Sequence, residues 1–196
     1  MGTSEDEIKR IISDLNVPCF LGTYDKRFPG FIRKDRLCCA IVNTGLREEG
    51  GVHWIAFAWN PYIKTFYMFD PFGFSDQDLK KVYNFEYERM LENSAVFSTK
   101  TKCVTVISSC QSVQSPYNGC CGLFCCVFLK AFTMYPHYPM DKNPIMDLFT
   151  GVANKLLFSP IPKNIFAKNQ ENLYAFLYDN CLYFRRNAAL LINKTQ

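Results

Sequence analysis

Residues Asn118-Gly119-Cys120-Cys121-Gly122-Leu123-Phe124 form a predicted turn at the start of an apolar segment that ends near Met134. Because this segment is apolar on nearly every side, it predicts a helix buried at the centre of the fold. A cysteine at the start of a helix faces unpaired N–H groups and the positive end of the helix dipole, which favour thiolate over thiol. The stretch therefore predicts a central helix from about Cys120 and supplies a candidate nucleophile, Cys121.

Strands and helices are expected to alternate along the rest of the chain. Strands are predicted over residues 38–43, 53–60, 65–70 and 102–107, and further helices over residues 76–92, 143–157 and 169–180. Ser75 can cap the helix over 76–92, and residues 4–8 resemble a capping box. The predicted fold class is α+β, with a mixed central sheet packed by helices and the nucleophile cysteine at the N-terminus of the buried central helix.

Length and composition fit one domain. The chain has 196 residues, of which 48% are hydrophobic and 20% charged. A chain of this length can bury a substantial core without help from metals or crosslinks. Since no repeat stands out and no linker divides the sequence, we predict a single domain over residues 1–196.

A candidate base comes from the histidines, of which the chain has only His53 and His137. A nucleophilic cysteine needs a group that takes its proton, and imidazole is the usual one near neutral pH. If a hairpin pairs Trp59 with Lys64, the same register sets His53 opposite Asp70. In an antiparallel hairpin each step back along one strand is matched by one step forward along the other, and both residues lie six steps from the first pair. Opposed residues are close enough for a carboxylate to hold an imidazole in one tautomer.

Two glutamines, Gln111 and Gln114, lie shortly before the cysteine. Acyl transfer builds negative charge on a carbonyl oxygen. A neutral amide donor beside the nucleophile can stabilise that charge together with the backbone N–H of the cysteine. Histidine, aspartate, glutamine and cysteine together indicate a thiol hydrolase.

Each of these residues also has a simpler structural interpretation. Cys121 could be a small buried residue, His53 a structural histidine at a strand start, and Asp70-Pro71 an ordinary turn. Either glutamine alone indicates almost nothing. The functional interpretation rests on the combination, because independent segments predict one shared geometry.

Several motifs in the chain resemble those of the adenovirus endopeptidase family. They are Phe20-Leu21-Gly22-Thr23-Tyr24-Asp25-Lys26-Arg27-Phe28-Pro29-Gly30, Ala40-Ile41-Val42-Asn43-Thr44, Gly51-Val52-His53-Trp54, Phe69-Asp70-Pro71-Phe72-Gly73-Phe74-Ser75-Asp76, Gln111-Ser112-Val113-Gln114 and Cys121-Gly122-Leu123-Phe124-Cys125-Cys126. The resemblance is collinear from the first residues to about Arg185. On these motifs the chain is identified as a member of the family.

The resemblance implies a viral cysteine endopeptidase that processes virion precursor proteins during particle maturation. The implied cleavage sites are of the types (Met/Ile/Leu)-x-Gly-Gly and (Met/Ile/Leu)-x-Gly-x-Gly. By the same resemblance Cys121 is the nucleophile, His53 the base, Asp70 the orienting acid and Gln114 the oxyanion donor. The chain departs from the family's usual pattern at Asp70, where glutamate is common, and at Cys120, where alanine is common. The family's architecture resembles that of ubiquitin-like-protein proteases, which use aspartate.

Two activators, and no metal or small-molecule cofactor, are implied by the same resemblance. One activator is viral DNA. The other is a short peptide from the C-terminus of a capsid precursor, which can bond by a disulfide to the cysteine at the position of Cys103. The flanking Lys100 and Lys102 would lower the pKa of that thiol and speed its exchange. From the residues alone, a half-buried strand cysteine stays the alternative.

DNA binding finds only modest support in the charge of the chain. The formal net charge is +4 and the pI is about 8.5, which is well short of a dedicated nucleic-acid binder. The basic residues that we assign to DNA are Lys26, Arg27, Arg33, Lys34, Arg36, Arg185 and Arg186. Such contacts would bind DNA without sequence specificity and weaken with salt, and an ordinary solvated surface stays open.

The expected substrate contacts lie around the predicted base. Gly51, before His53, would let an extended peptide approach the backbone closely, although glycines there also suit a turn. Trp54 and Asn43 are expected to line a narrow groove that accepts only glycine beside the scissile bond. Selection of glycine would then be steric.

The cysteine pattern favours reduced thiols. Cysteines occur in the adjacent pairs Cys38-Cys39, Cys120-Cys121 and Cys125-Cys126, and nothing resembles a signal peptide. We expect no zinc site and no membrane anchor, because no C-x-x-C pair is present and the apolar run after Gly122 is too short to span a bilayer. A monomer located in the virion and the host cell nucleus is expected, the location being implied by the family alone.

Three other functions stay open at this point. A deubiquitinase-like thiol hydrolase could use the same residues, since ubiquitin-type tails also end in glycines. A cysteine-rich zinc or redox module would bind metal or hold a reversible dithiol. A noncatalytic DNA-binding protein would keep its function with Cys121 replaced.

Overall fold

In the part of the chain that the structure describes, five strands form one mixed sheet in the order β1-β2-β3-β4-β5. They are β1 Phe20–Tyr24, β2 Cys38–Asn43, β3 Trp54–Asn60, β4 Thr65–Phe69 and β5 Thr105–Ser108. The pairs β1–β2 and β4–β5 are parallel, and the pairs β2–β3 and β3–β4 are antiparallel. The structure is a computed structural model that describes residues 2–92, 94, 103–154 and 162–196.

Helices cover both faces of this sheet. They are α1 Glu5–Asp14, α2 Asp76–Tyr83, α3 Tyr87–Glu92, α4 Cys121–Met134, α5 Lys163–Asn180, α6 Leu182–Arg186 and α7 Ala188–Thr195. Short 3-10 turns occur at Arg47–Glu49 and Met146–Leu148, and β6 Gln111–Ser112 pairs with β7 Val152–Ala153 in a separate ribbon. The mixed sheet packed by helices confirms the predicted α+β class.

Alternating side chains of the sheet feed two hydrophobic clusters, as the strand period of two requires. One cluster joins one face of the sheet to α1, α4 and the C-terminal helices, and it includes Ala56 and Phe69. The other joins the opposite face to α2 and α3, and it includes Phe57 and Met68. Strands β3 and β4 are buried along their whole length.

Helix α4 is the central helix that the apolar segment predicts. Eleven of its residues are buried, and Phe128 stacks on Phe69 of the sheet at 4.8 Å between ring centroids. The Cys125 thiol donates to the Trp54 carbonyl at 3.3 Å. The first contact packs the middle of α4 on the end of β4, and the second joins the early part of α4 to the start of β3.

Two predicted helix caps are confirmed. Ser4 and Glu7 form a reciprocal capping box at the start of α1, and Ser75 and Asp78 do the same for α2. Each box satisfies two backbone N–H groups that would otherwise lack partners at the helix start.

The predicted helix over 76–92 is wrong as a single element. It breaks at Asn84, which has φ 50° in the left-handed region, and restarts at Tyr87. The Asp76 side chain accepts hydrogen bonds from the backbone N–H groups of Tyr87 and Glu88. It takes the place of the backbone carbonyls that would accept from these N–H groups in a continuous helix. Asparagine tolerates the left-handed conformation better than most residues, which explains the break.

The predicted helix over 143–157 is also wrong. Its described part contains one 3-10 turn and strand β7, and residues 155–157 lie outside the described residues. The Asn143 side chain accepts from the N–H groups of Ile145 and Met146, which replaces a helical bonding pattern with a local turn. The helix predicted from Asn169 begins earlier, at Lys163, and the strand predicted over 102–107 is described from Thr105 to Ser108.

The hairpin of β3 and β4 has a different register from the predicted one. Trp59 pairs with Phe66, not with Lys64, because Asn60 pairs with Thr65 around a four-residue loop. Lys64 takes a positive φ of 51° in that loop, and the Asn60 side chain accepts from the N–H of Tyr62. The difference is two residues, which leaves every side chain on its predicted face of the sheet.

Candidate active site

The Cys121 thiol lies at the first residue of α4, where the helix meets the start of β3. The residue is buried and 7% exposed. Burial opposes the charged form, but hydrogen bonding and charge from His53 outweigh it. Together with the N–H groups of Trp54 and Gly122, they lower the pKa of the Cys121 thiol. The geometry therefore favours a thiolate at this position.

His53 links this thiol to Asp70. Its Nε2 lies 2.6 Å from Asp70 Oδ1, and both residues are buried. Burial disfavours the imidazolium, yet the charge and hydrogen bond of Asp70, with a smaller contribution from Cys121, raise the pKa of His53. Because Nε2 faces Asp70, Nδ1 is the nitrogen left for the thiol.

Asp70 is held rigidly by the turn that follows β4. Its two carboxylate oxygens accept from the N–H groups of Phe72 and Phe74 at 2.9 and 3.0 Å. Ser109 bonds to both the N–H and the carbonyl of Asp70. Gly73 has φ 64°, and a Cβ there would meet the Gln111 backbone at 2.5 Å, so this turn requires glycine.

The true hairpin register explains how Asp70 still reaches the histidine. Extending the observed pairing sets His53 opposite Phe72, whose ring stacks on the imidazole at 4.7 Å. Strand β4 ends at Phe69, and the Asp70 side chain, two residues before Phe72, lies on the same face of the hairpin as Phe72. Tyr83 of α2 also stacks on His53, at 5.3 Å. Aromatic faces beside the ring favour its cationic form.

Cys120 lies next to the candidate nucleophile but in different surroundings. It is fully buried, and burial raises the pKa of its thiol to about 11. That thiol contacts the Tyr174 hydroxyl at 3.4 Å and the Thr195 carbonyl at 3.2 Å. Of the two neighbouring thiols, Cys121 alone has the imidazole as a partner.

The two glutamines before the cysteine have separate positions. Gln114 is 1% exposed, and its Nε2 donates to the Asn118 carbonyl at 2.8 Å. Within the described part of the chain, this bond engages one of its two N–H groups and leaves the second for another acceptor. Gln111 lies in β6 and is exposed, with its side chain against Gly151.

A cleft of about 340 Å³ opens beside Cys121. Trp54, Asn43 and Gly51 all line it, as does the N-terminal segment from Gly2 to Ser4. Asn43 Oδ1 accepts from the N–H groups of Gly45 and Val52, which fixes its side chain at the wall. Local sequence patterns gave no signal for the N-terminal segment, because it reaches the cleft through a distant contact from Trp54 Nε1 to the Thr3 carbonyl.

Cys103 is exposed and lies two residues before β5, which is an outer strand of the sheet. Cys110, at the other end of β5, is exposed as well. Lys100 and Lys102 lie outside the described residues, so their predicted effect on Cys103 stays a prediction. All ten cysteines are free thiols.

The basic residues assigned to DNA differ in their partners. Arg27 pairs with Asp25 and Glu48, Arg33 with Asp35, and Arg185 donates to the carbonyls of Tyr178 and Asp179. Lys26 is half-buried, whereas Lys34, Arg36 and Arg186 are exposed.

In the described ranges no cluster of three or more His, Cys, Asp or Glu side chains is arranged to hold a metal ion. Over the same ranges no helix combines the length and the apolar character needed to cross a bilayer.

Comparison with known proteins gives one consistent result. A sequence profile described as adenovirus endoprotease matches residues 20–196. A protease of human adenovirus A serotype 12 is 58% identical over 188 residues, covering 95% of this chain and 91% of that protein. A protease of bovine adenovirus B serotype 3 is 57% identical, covering 96% and 93%. A protease of porcine adenovirus A serotype 3 is 52% identical, covering 100% and 96%.

Proposed function

The chain belongs to the adenovirus endoprotease family and is a cysteine endopeptidase that acts on viral proteins, and we propose that Cys121, His53, Asp70 and Gln114 perform its chemistry. The single observation that carries this proposal is the buried contact series from the Cys121 thiol through His53 to Asp70. A thiolate beside an imidazolium is the reactive form of a thiol protease, and the carboxylate favours that form by stabilising the imidazolium.

The first half of the proposed reaction forms an acyl-enzyme. The Cys121 thiolate attacks the scissile carbonyl carbon, and the resulting oxyanion accepts the second N–H of Gln114 and the N–H of Cys121 itself. The N–H groups in the first turn of α4 lack helical partners and suit this purpose. His53 then gives its proton to the leaving amine as the C–N bond breaks, which leaves a thioester on Cys121.

The second half releases the product. Neutral His53 takes a proton from water, and the hydroxide adds to the thioester carbonyl. The second tetrahedral intermediate uses the same oxyanion donors. When it collapses, the C–S bond breaks and the thiolate–imidazolium pair is restored, so no net proton is left on the enzyme.

We propose virion precursors with (Met/Ile/Leu)-x-Gly-Gly or (Met/Ile/Leu)-x-Gly-x-Gly sites as substrates, cut by a monomer in the virion and the host cell nucleus. The test is cleavage of a fluorogenic Leu-x-Gly-Gly peptide with and without DNA and the candidate activating peptide. Cleavage that both additions raise would support the proposal. Failure to cleave, combined with reaction toward a ubiquitin-aldehyde probe, would instead indicate a deubiquitinase-like enzyme.

The narrow cleft supports steric selection of glycine next to the scissile bond. A Cβ at Gly51 would lie 2.8 Å from Asn43 Nδ2, and Trp54 forms part of the same cleft. Trp54→Ala enlarges the cleft, so we expect the ratio of kcat/KM for glycine over alanine at that position to fall about tenfold. A ratio is measured because it does not depend on the amount of folded enzyme. An unchanged ratio across a peptide panel would contradict steric selection.

The position of Cys103 supports a disulfide-linked activating peptide. Among the described residues β5 is an outer strand with exposed side chains, and an outer strand can pair its backbone with an extended peptide. A peptide bound in this way would have its own cysteine within reach of Cys103.

We expect Cys103→Ser to abolish linkage to an activating peptide whose cysteine carries a 2-thiopyridyl disulfide. The enzyme thiolate would displace pyridine-2-thione, whose absorbance reports the exchange while intact mass reports the adduct. Cys110→Ser is the matched control, since Cys110 is also an exposed thiol next to β5. An adduct that persists in Cys103→Ser, or that disappears only in Cys110→Ser, would sink this assignment.

DNA activation is proposed to use basic side chains that are not already paired. Lys34 and Arg36 are exposed and make no ion pair within the described residues, whereas Arg27 is bound to two carboxylates. Each phosphate contact that is lost should reduce the salt dependence of binding by about one unit of log K per log salt. The double variant Lys34→Ala/Arg36→Ala is therefore expected to lower that slope by about two, and Arg27→Ala by less. DNA titrations at several salt concentrations check this, and equal slopes in all three proteins would refute it.

A further inference from the structure

A chain of polar side chains connects the turn before Cys121 to helices α5 and α7. Its members are Gln114, Asn118, Gln170, Tyr174 and Thr195. From this arrangement we infer that Gln170 and Tyr174 are positioning residues: they hold the Gln114 amide and the backbone turn of the nucleophile in their reactive geometry. The inference rests on the roles proposed above for Gln114 and Cys121.

One branch of the chain reaches the proposed oxyanion donor. Gln170 Oε1 accepts from Asn118 Nδ2 at 3.3 Å, and the carbonyl of the same Asn118 accepts from Gln114 Nε2 at 2.8 Å. Gln170 therefore holds the Asn118 side chain, and Asn118 in turn holds the Gln114 amide through its backbone carbonyl. If the Asn118 carbonyl shifted, Gln114 Nε2 would lose this acceptor, and its second N–H would no longer be held toward the oxyanion.

The other branch reaches the turn that carries the nucleophile. Gln170 Nε2 donates to the Tyr174 hydroxyl at 2.7 Å, and that hydroxyl lies 2.9 Å from Thr195 Oγ1. The Thr195 carbonyl accepts from the N–H of Gly119 at 3.0 Å, two residues before Cys121. Helix α7 thus bonds to the catalytic turn directly through the Thr195 carbonyl, and the Tyr174 side chain of α5 holds Thr195 in place.

The hydrogen positions in this chain are mutually consistent. Thr195 Oγ1 donates to the Leu191 carbonyl at 2.7 Å, so it can accept from Tyr174, whose hydroxyl in turn accepts from Gln170. Each bond in the series therefore has one donor and one acceptor. Exchanging the oxygen and nitrogen of the Gln170 amide would lose its bonds to both Asn118 and Tyr174.

The cost of this arrangement favours a functional purpose over simple packing. Among the described residues, Gln114 Oε1 and Asn118 Oδ1 are both buried and have no hydrogen-bond partner from the protein. Each such atom costs about 1–3 kcal/mol, which an apolar side chain of similar shape would avoid. Two buried amides that carry this cost next to a nucleophile indicate that their N–H groups are needed for the reaction.

The test separates attack by the thiol from stabilisation of the oxyanion. Alkylation of Cys121 by iodoacetamide needs only the thiolate, because displacement at carbon forms no oxyanion. Binding of a Leu-x-Gly-glycinal aldehyde forms a hemithioacetal whose oxygen needs the oxyanion donors. We compare Gln170→Met and Tyr174→Phe with two matched changes at exposed positions of the same helix, Glu171→Met and Tyr178→Phe.

For Gln170→Met we expect about a tenfold fall in kcat and in aldehyde affinity, with KM and the alkylation rate each within about twofold of wild type. Tyr174→Phe should change in the same direction by a smaller factor, and both control variants should match wild type. Equal losses in alkylation and aldehyde binding, or no loss in either, would show that the chain of side chains is merely structural. A wild-type protein that neither cleaves the peptide nor binds the aldehyde would instead overturn the proposed function.

Discussion

Replacement of Cys121 by alanine is expected to lower kcat for the Leu-x-Gly-Gly peptide by at least about 10⁴-fold, because it removes the thiol that is paired with His53. Cys120→Ala is expected to lower kcat by no more than about tenfold, since it loses weak thiol contacts and keeps the nucleophile. Each change removes one thiol sulfur, and the two positions are adjacent in the chain. They therefore separate the chemistry of the site from the packing of the helix start.

Thermal melting of both variants provides the control for folding. Cys120 is fully buried and Cys121 nearly so, so each alanine leaves a small cavity of similar size. Similar melting temperatures with very different kcat values would support the assignment. A Cys120→Ala protein that is inactive, next to a Cys121→Ala protein that still cleaves, would reverse the roles of the two thiols.

The second large effect is expected for Asp70→Asn. Asp70 raises the pKa of His53 by its charge and its hydrogen bond, so the variant should lose about 10³–10⁴-fold in kcat. Activity requires the thiolate and the imidazolium together, and it falls below the pKa of Cys121 and above the pKa of His53. Loss of the carboxylate should therefore move the alkaline limb of the pH–rate profile down by about one unit or more.

The measurement for Asp70→Asn is kcat/KM against pH, together with a thermal melt. The carboxylate also accepts from the N–H groups of Phe72 and Phe74, so some loss of stability is expected alongside the kinetic change. Lost stability alone would lower the rate at every pH without moving the limb. An unshifted alkaline limb would contradict the proposed role of Asp70.

Local patterns in the sequence were sufficient for the elements that position the site. The strand over Cys38–Asn43 has the predicted bounds, and α4 begins one residue after the predicted Cys120. Both capping boxes depend on residues three apart, which a sequence shows directly. The His53–Asp70 contact could also be anticipated, because a register difference of two residues keeps both side chains on one face.

Features set by turns and by long-range contacts were not predictable in the same way. The register depends on the loop that follows Asn60, and the break at Asn84 depends on the Asp76 side chain, which accepts from N–H groups 11 and 12 residues away. The link from Gln170 to Asn118 joins residues 52 apart, and hydrophobic periodicity carries no information about it.

The most direct test of the central claim is to map the thiol that reacts first with a Leu-x-Gly-Gly vinyl sulfone near pH 6. The ten cysteines provide internal controls, because Cys103 and Cys110 are exposed whereas Cys121 is 7% exposed. If the pKa of Cys121 is lowered by His53, digestion and mass spectrometry should find one adduct, at Cys121. A first adduct at Cys103, Cys110 or Cys120 would mean that accessibility or another thiol decides the reaction, and it would contradict the account of the site.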